Sequence, residues 1–459
     1  MQNNGSDGIV SERRLSWAYF KKHADPVLLA FLLLFSVDKV VLKPLAIAMG
    51  LLWIGRKFSF KDIKAAPPFY FLILVPALIK FFFFNTDFSA AHAVSFGIGT
   101  LYWLMCALAY ALLHNRVNNN TIVKMEATLD AFFLLNFFVS IGNLVYAMVL
   151  SGSLNPYNID NLDFGNSTGD YIKGIFMAPC YINMFVNALF SVYFLYRKRY
   201  AYSFLAILVA CATSSNFANL VLLPVLIACI FLLKERKARL TISLQLLLYI
   251  VFYTVISPGN LAYLRSSVSA RQRDAMEEQA FGKFYRGDGK LMHYCKVISM
   301  LETYEYITSS KTNLLLGAGM GAFSSQLAVR TSDLHVKTRS RLFERLPVYV
   351  APSFRDNHYR IFEAVYSMPP GYHSIRHFPG SFVNQLLGEY GISGLLIFAL
   401  FYIGFFLKRY RQLSFTIVLL IMVCGFLVFD YLFEYLSVMT FFELFFLVDL
   451  KAKTTAKDE

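Results

Sequence analysis

Apolar runs close to bilayer-spanning length recur from residue 26 to residue 449. About 20 apolar residues cross the hydrocarbon layer as a helix. Inside that layer every backbone N–H and C=O must be paired, which leaves helices and closed barrels as spanning forms. Barrel strands alternate apolar and polar residues over ~10 positions. Runs such as Phe81-Phe82-Phe83-Phe84 and Leu246-Leu247-Leu248 do not alternate. The pattern therefore predicts an all-α, polytopic membrane helical bundle. Only 16% of the residues are charged, against about 25% in an ordinary soluble domain, as expected when much of the surface faces lipid.

Charge sets the expected topology. The formal net charge is +14, and much of it falls in short turns, where positive residues mark the cytoplasmic side. Arg13, Arg14, Lys21 and Lys22 precede the first apolar run. Arg56-Lys57, Arg116, Arg197-Lys198-Arg199, Lys234 to Lys237 and Lys408 to Arg411 fall at every second turn after it. This spacing predicts about twelve spans with both termini cytoplasmic. About nine lie in 1–256, a large extracytoplasmic loop occupies 257–380, and three lie in 381–459. Residues 1–25 are polar and charged, so no cleavable leader is expected. Nucleic-acid binding would gather the positive charge on one soluble domain and is not expected. Cys106, Cys180, Cys211, Cys229 and Cys424 fall in apolar segments, and Cys295 alone lies in the large loop. That usage leaves no disulfide framework and no CxxC metal or redox motif.

The large loop is where chemistry is expected. Residues 257–380 carry sixteen Lys plus Arg and ten Asp plus Glu, a balance of +6. Long loops escape the positive-inside rule, so the excess points either to a basic surface near anionic headgroups or to an anionic ligand. Arginine suits phosphate through its permanent charge and forked donors. Arg265, Arg271 and Arg273 leave the preceding span, while His373, Arg376 and His377 lead into the next. A histidine at such a junction suits acid, base or phosphate contact near neutral pH. Leu291, Tyr294, Ile298, Leu301 and Glu305 recur at helical spacing and predict an amphipathic helix. Lys337, Arg341 and Arg345 align on one helical face. Gly317, Gly319 and Gly321 lack dinucleotide-fingerprint spacing, so a tight turn packing the loop onto the bundle is expected. Asp356-Asn357-His358 reads as ordinary loop. Phe343, Tyr349, Phe354, Tyr359, Tyr366 and Tyr372 are sugar-stacking or interface-anchoring aromatics.

Two stretches carry a family resemblance. Leu316-Gly317-Ala318-Gly319-Met320-Gly321-Ala322-Phe323 lies within the late loop, and Ser381-Phe382-Val383-Asn384-Gln385-Leu386-Leu387-Gly388-Glu389-Tyr390-Gly391-Ile392-Ser393-Gly394-Leu395 follows it. Together with the late position of the loop, they resemble the O-antigen polymerase and O-antigen ligase superfamily of bacterial envelope enzymes. The resemblance implies a large helical periplasmic loop on a GT-C-type bundle in the bacterial inner membrane. It implies a metal-independent glycosyltransferase without cofactor. The implied donor is an undecaprenyl-pyrophosphate-linked oligosaccharide held among membrane lipid, with a chain-length regulator or flippase as possible partners. Relatives often carry a histidine directly before the Glu-x-Gly-Ile-x-Gly helix, whereas the nearest here is His377. They often carry Ser-Arg at a middle helix end, whereas Thr213-Ser214-Ser215-Asn216 has no arginine. The expected catalytic residues are then His377, His373 and Glu389. The expected pyrophosphate ligands are Arg265, Arg271, Arg273 and Arg376.

Polymerase and ligase share this architecture. A third reading is transport, because intramembrane polar groups are functional by default. Asp38, Lys39, Lys43, Asp130, Asn183, Asn187, Asp430 and Glu434 qualify, although no internal repeat accompanies them. A passive scaffold would have no use for basic loop ends. If the loop ends meet over a pyrophosphate, Arg265→Ala, Arg376→Ala and His377→Ala each abolish glycan extension at unchanged protein abundance. Normal glycan length in all three variants refutes the assignment.

Overall fold

The longest uninterrupted apolar runs become the longest helices. The computed structural model describes residues 17–39, 41–55, 58–84, 89–158, 167–262, 295–335, 347–366 and 378–458, and regular structure among them is helical. The first half of the bundle comprises α1 (Trp17–His23), α2 (Pro26–Ser36), α3 (Leu42–Ile54), α4 (Phe60–Lys64), α5 (Phe69–Phe83), α6 (Ala90–Asn119) and α7 (Ile122–Ser151). It continues through α8 (Cys180–Tyr196), α9 (Tyr200–Ala212), α10 (Asn216–Leu232) and α11 (Arg236–Ile256). Short helices follow as α12 (Cys295–Thr308), α13 (Lys311–Leu316), α14 (Gln326–Thr331), α15 (Pro352–Asn357) and α16 (Tyr359–Tyr366). The chain closes with α17 (Phe382–Gln412), α18 (Thr416–Phe429), α19 (Leu432–Tyr435) and α20 (Ser437–Asp458).

Among the described residues, α6, α7, α11 and α17 are long and apolar enough to cross a membrane. Seven further apolar helices have 10–17 residues. Their outward faces are apolar: Phe82 and Phe83 on α5, Phe138 and Val149 on α7, Leu244 and Leu247 on α11, and Leu396 and Leu400 on α17 are exposed. Such faces suit lipid rather than water. Aromatic rings fill the interior. Phe69 meets Trp103, Phe398 and Tyr402 edge-on at 5.3–5.4 Å between centroids, a favoured arrangement for aromatic pairs.

The basic turns gather at one end. Arg116 Nε donates to Asp25 at 2.9 Å, and the Asp25 N–H donates to Thr128 at 2.8 Å. Arg199 pairs with Glu126 and Asp130, and Lys451 donates to the carbonyls of Val117 and Asn120. Asp449 accepts from the free N–H groups of Ser414, Phe415 and Thr416 at 2.8–3.3 Å. It thereby satisfies the start of α18. Asn183, read as a transport candidate, bonds Ser140, Asn136 and the Ile172 carbonyl at 2.9–3.1 Å. It holds the turn before α8.

Helices α12–α16 cover the opposite end. The expected turn at Gly317–Gly321 is there, and a break in α17 explains it. Gly391 interrupts α17 at φ +65°, ψ −161°. A break frees carbonyls that hydrocarbon cannot satisfy. The N–H groups of Ala318 and Gly319 take up Gly388 O and Glu389 O at 2.8 and 3.0 Å. This contact leaves no room for side chains. A Cβ on Gly317, itself at φ +65°, would lie 2.5 Å from the Glu389 carbonyl carbon, and one on Gly391 would lie 2.6 Å from Leu314 O.

The loop helix α12 corrects an expectation. Of the residues that predict this amphipathic helix, Leu291 and Tyr294 lie outside the described residues, and Leu301 is 57% exposed while Cys295, Ser299, Thr303 and Ile307 form the buried face. The polar pair Ser299 and Thr303 points inward because both hydroxyls meet His358, and Asn384 donates to Ser299 at 2.8 Å. Tyr349 and Phe354 also turn inward, forming a small second core with Ala328, Val329, Phe362 and Tyr431. The expected helix over Lys337, Arg341 and Arg345 lies outside the described residues.

Gly317→Ala should lower stability by about 2 kcal/mol or more, from left-handed strain of about 1–2 kcal/mol plus the backbone clash. Gly142→Ala, where a Cβ meets nothing within 4 Å, is the control. Thermal midpoints of the purified variants check this, and equal midpoints contradict it.

Candidate functional site

Six of the seven expected site residues, Arg265, Arg271, Arg273, His373, Arg376 and His377, lie outside the described residues. Glu389 is described. It occupies the last turn of α17 before the Gly391 break, with its side chain buried. Its Oε1 accepts from the Phe323 N–H at a long 3.5 Å. The amides of Gly321 and Ser325 and the Ser325 hydroxyl also face it. The turn that repairs the broken helix thus also presents polar groups to the carboxylate. Oε2 is buried without a hydrogen-bond partner.

Glu389 lines a partly open pocket between α6, the Gly321 turn, α17 and α19. Glu389, Glu434, Gln385, Trp103, Tyr390 and Tyr102 are among its lining residues. Gln385 Nε2 donates to Glu434 at 2.8 Å, leaving Gln385 Oε1 buried and unpartnered. Trp103 Nε1 donates to the Tyr390 hydroxyl at 2.9 Å. The walls are therefore rich in acceptors and backed by aromatic rings. Buried polar atoms are normally satisfied, so these orphaned acceptors suit an occupant that brings O–H or N–H groups.

A second group of charges adjoins this cavity. Ser325 caps α14, accepting from the Ala328 N–H at 3.0 Å, and the helix carries Arg330 to the mouth of the bundle. Arg330 Nη1 donates to Tyr102 at 3.2 Å, and the charges of Asp38 and Glu434 act on the guanidinium. Arg330 lies deep among protein atoms but keeps part of its surface accessible, as do Asp38, Tyr102, Gln326 and Glu434. None of these five residues is fully buried. Gln326 Nε2 donates to Tyr435 at 3.1 Å, and Tyr435 meets Tyr181 at 3.2 Å. Lys43 adds a buried cation influenced by Asp38 and Arg330.

Lys296 ties the loop to the bundle. Its Nζ donates to Phe429 O at 2.8 Å and to Gly380 O. Burial pulls this ammonium down to about 8, although the Asp430 carboxylate pulls the other way.

Sequence reasoning named Asp38, Lys43, Asp430 and Glu434 as notable polar residues in apolar runs. It missed Arg330, Lys296 and Gln385. The available signal for Arg330 was a lone arginine in Gln326-Leu327-Ala328-Val329-Arg330, directly after the glycine run. Asp356 and His358, expected in ordinary loop, lie in and at the end of α15, and their side chains diverge. Asp356 points to solvent beside Arg355, whereas His358 is buried against Phe323 at 4.4 Å between ring centroids.

The His358 environment specifies one tautomer. The Thr303 hydroxyl donates to Ser299 O at 2.7 Å, so its oxygen accepts from His358 Nε2–H at 3.3 Å. Nδ1 then accepts from the Ser299 hydroxyl at 3.3 Å. A second ring proton would require the Ser299 hydroxyl to turn from donor to acceptor. Burial pushes the imidazole down from 6.5 to about 3. Comparisons with known protein families, curated proteins and solved structures found no match to this chain.

A depressed histidine makes stability pH-dependent. Between pH 6.5 and about 3 the unfolded chain binds the proton that folded His358 refuses, so this contribution is present above pH 6.5 and lost as pH falls. Hydrogen exchange at 299–303 and 354–362, corrected for intrinsic rates, should accelerate from pH 6.5 to pH 4, and His358→Gln should flatten the trend. Protection independent of pH contradicts this.

Proposed function

We propose that this chain is a polysaccharide repeat-unit polymerase. It transfers a glycan from undecaprenyl pyrophosphate to an acceptor sugar at the outer face of the bacterial inner membrane. In this reading the bundle is GT-C-type with about twelve spans and cytoplasmic termini, and the described loop helices are periplasmic. The observation that carries the proposal is the adjacency of a deep, partly accessible arginine to a partly open, acceptor-lined cavity. Arg330 and Glu434 join the two, since Glu434 lines the cavity and its charge acts on Arg330.

The chemistry follows from that pairing. The acceptor hydroxyl attacks the anomeric carbon of the donor. Its proton passes to one of the expected bases His377, His373 and Glu389, of which Glu389 lies among the described residues. The anomeric carbon–oxygen bond to pyrophosphate breaks, and undecaprenyl pyrophosphate leaves with both bonding electrons. Arg330 stabilises the charge developing there, a role suited to a partly dehydrated guanidinium. Arg265, Arg271, Arg273 and Arg376 remain the loop-end ligands implied by the family resemblance. Pyrophosphate is a good leaving group, so the step requires no metal. Trp103 and Tyr390 supply apolar faces for a sugar ring, while Glu389 Oε2 and Gln385 Oε1 accept from its hydroxyls.

A ligase that moves finished glycan to a lipid acceptor would use the same arrangement. The transport reading gains one specific support, because the break in α17 at Gly391 is the kind of discontinuity from which transporter sites are built. Glycan length in a deletion strain separates these readings. Loss of the polymerase leaves single repeats on the acceptor, loss of the ligase accumulates lipid-linked polymer, and loss of a carrier leaves lipid-linked repeats on the inner side.

In that strain, Arg330→Ala should reduce extension by about 10²–10³-fold, and Glu389→Gln by about 10²–10⁴-fold. Glycan length and radiolabelled repeat incorporation at matched protein abundance are the measurements. Wild-type lengths from both variants contradict the proposal.

A further inference from the structure

A second, partly open pocket lies between α5, the first turns of α6 and the Gly319 turn. The proposed reaction does not use it. Lys80, His92, Phe81, Phe96 and Met320 line it, and the backbone at Gly319 closes one side. Lys80 stands on a helix with an exposed apolar face. Val75, Leu78, Ile79, Phe82 and Phe83 around it are all exposed. An ammonium in such surroundings is expensive and marks a functional site by default. Its Nζ donates to Asn313 Oδ1 at 3.3 Å, which does not neutralise the charge. Among the described residues no carboxylate forms an ion pair with it. The His92 ring, stacked on Tyr349 at 4.7 Å and 7°, faces the same pocket. Gly319 adopts φ +106°, and a Cβ there would lie 3.4 Å from Lys80 Cγ. Glycine thus keeps the backbone close to the lysine stem without filling the space.

We propose that this pocket binds the phosphate of an anionic phospholipid from the surrounding bilayer, with Lys80 as its counter-charge. The exposed apolar face of α5 then lies alongside the acyl chains. A phosphodiester carries one negative charge, which a lysine matches as a point charge. A diphosphate carries more negative charge, which suits Arg330 better. Met320 lines both this pocket and the acceptor-lined cavity. The headgroup is therefore separated from the proposed reaction site by one side chain, on the turn that also presents amides to Glu389.

The inference does not depend on the glycan reaction and is tested without it. Full-length protein is placed in nanodiscs of phosphatidylcholine alone or with added phosphatidylglycerol, and the thermal midpoint is followed. Phosphatidylglycerol should raise the midpoint of the wild type and of Lys80→Arg. For Lys80→Gln its apparent affinity should fall about fivefold, the effect of one lysine–headgroup attraction. An equal response in Lys80→Gln overturns the proposal. So does a Lys80-dependent response to a polyprenyl diphosphate and not to phosphatidylglycerol, which would assign the pocket to a lipid carrier. If Lys80→Gln does not accumulate, native mass spectrometry of the wild type decides. Preferential retention of phosphatidylglycerol over phosphatidylcholine supports the site, and equal retention overturns it.

Discussion

Two carbonyls at the break in α17, Gly388 O and Glu389 O, need hydrogen-bond donors that the interrupted helix no longer supplies. The amides of Ala318 and Gly319 meet them. In an apolar layer an unpaired carbonyl costs several kcal/mol, so the break and the turn require each other. Glycine is needed on both sides, because Gly317 and Gly391 each adopt a positive φ in a space that excludes a Cβ. This backbone pairing places the turn 317–321 against α6, sets α14 at the mouth of the bundle and directs the Phe323 amide toward Glu389.

The pairing also explains why charge gathers here. Arg330 reaches Tyr102 on α6 only because α14 follows directly from the turn. Gln385 stands one helical turn before Glu389, which lines the same cavity, and donates to Glu434 on α19. Lys296 links α12 to the carbonyls at Gly380 and Phe429, the points where the chain enters α17 and leaves α18. An arginine, two carboxylates and an amide thus converge from segments far apart in the chain. Such a collection of buried polar groups is costly to maintain, and a ligand carrying phosphate and hydroxyl groups would account for it.

The helical fold and the apolar helices long enough to span a membrane were legible because apolar run length is a local property. The tight turn at Gly317–Gly321 was legible from glycine spacing. The break at Gly391 was not, since Glu389-Tyr390-Gly391-Ile392 reads as continuous apolar helix unless its partner turn is known. The face of α12 was misread for a related reason. Leu301 and Ile298 read as the apolar face, but two polar partners from distant segments, His358 and Asn384, draw Ser299 and Thr303 inward through hydrogen bonds. Within the site, Glu389, Asp38, Lys43, Asp430 and Glu434 were recognisable by residue type in apolar runs. Arg330 was one arginine among sixteen cations of the large loop region, and only long-range packing distinguishes it.

If Arg330 and the cavity form one reaction site, a lipid diphosphate sugar must lodge there. Cryo-electron microscopy of the protein with a polyprenyl-diphosphate-linked oligosaccharide would locate it. The account places the diphosphate within hydrogen-bond distance of Arg330 and the first sugar beside Glu389 and Trp103. A well-ordered diphosphate bound elsewhere, with Arg330 in contact with water alone, would contradict it.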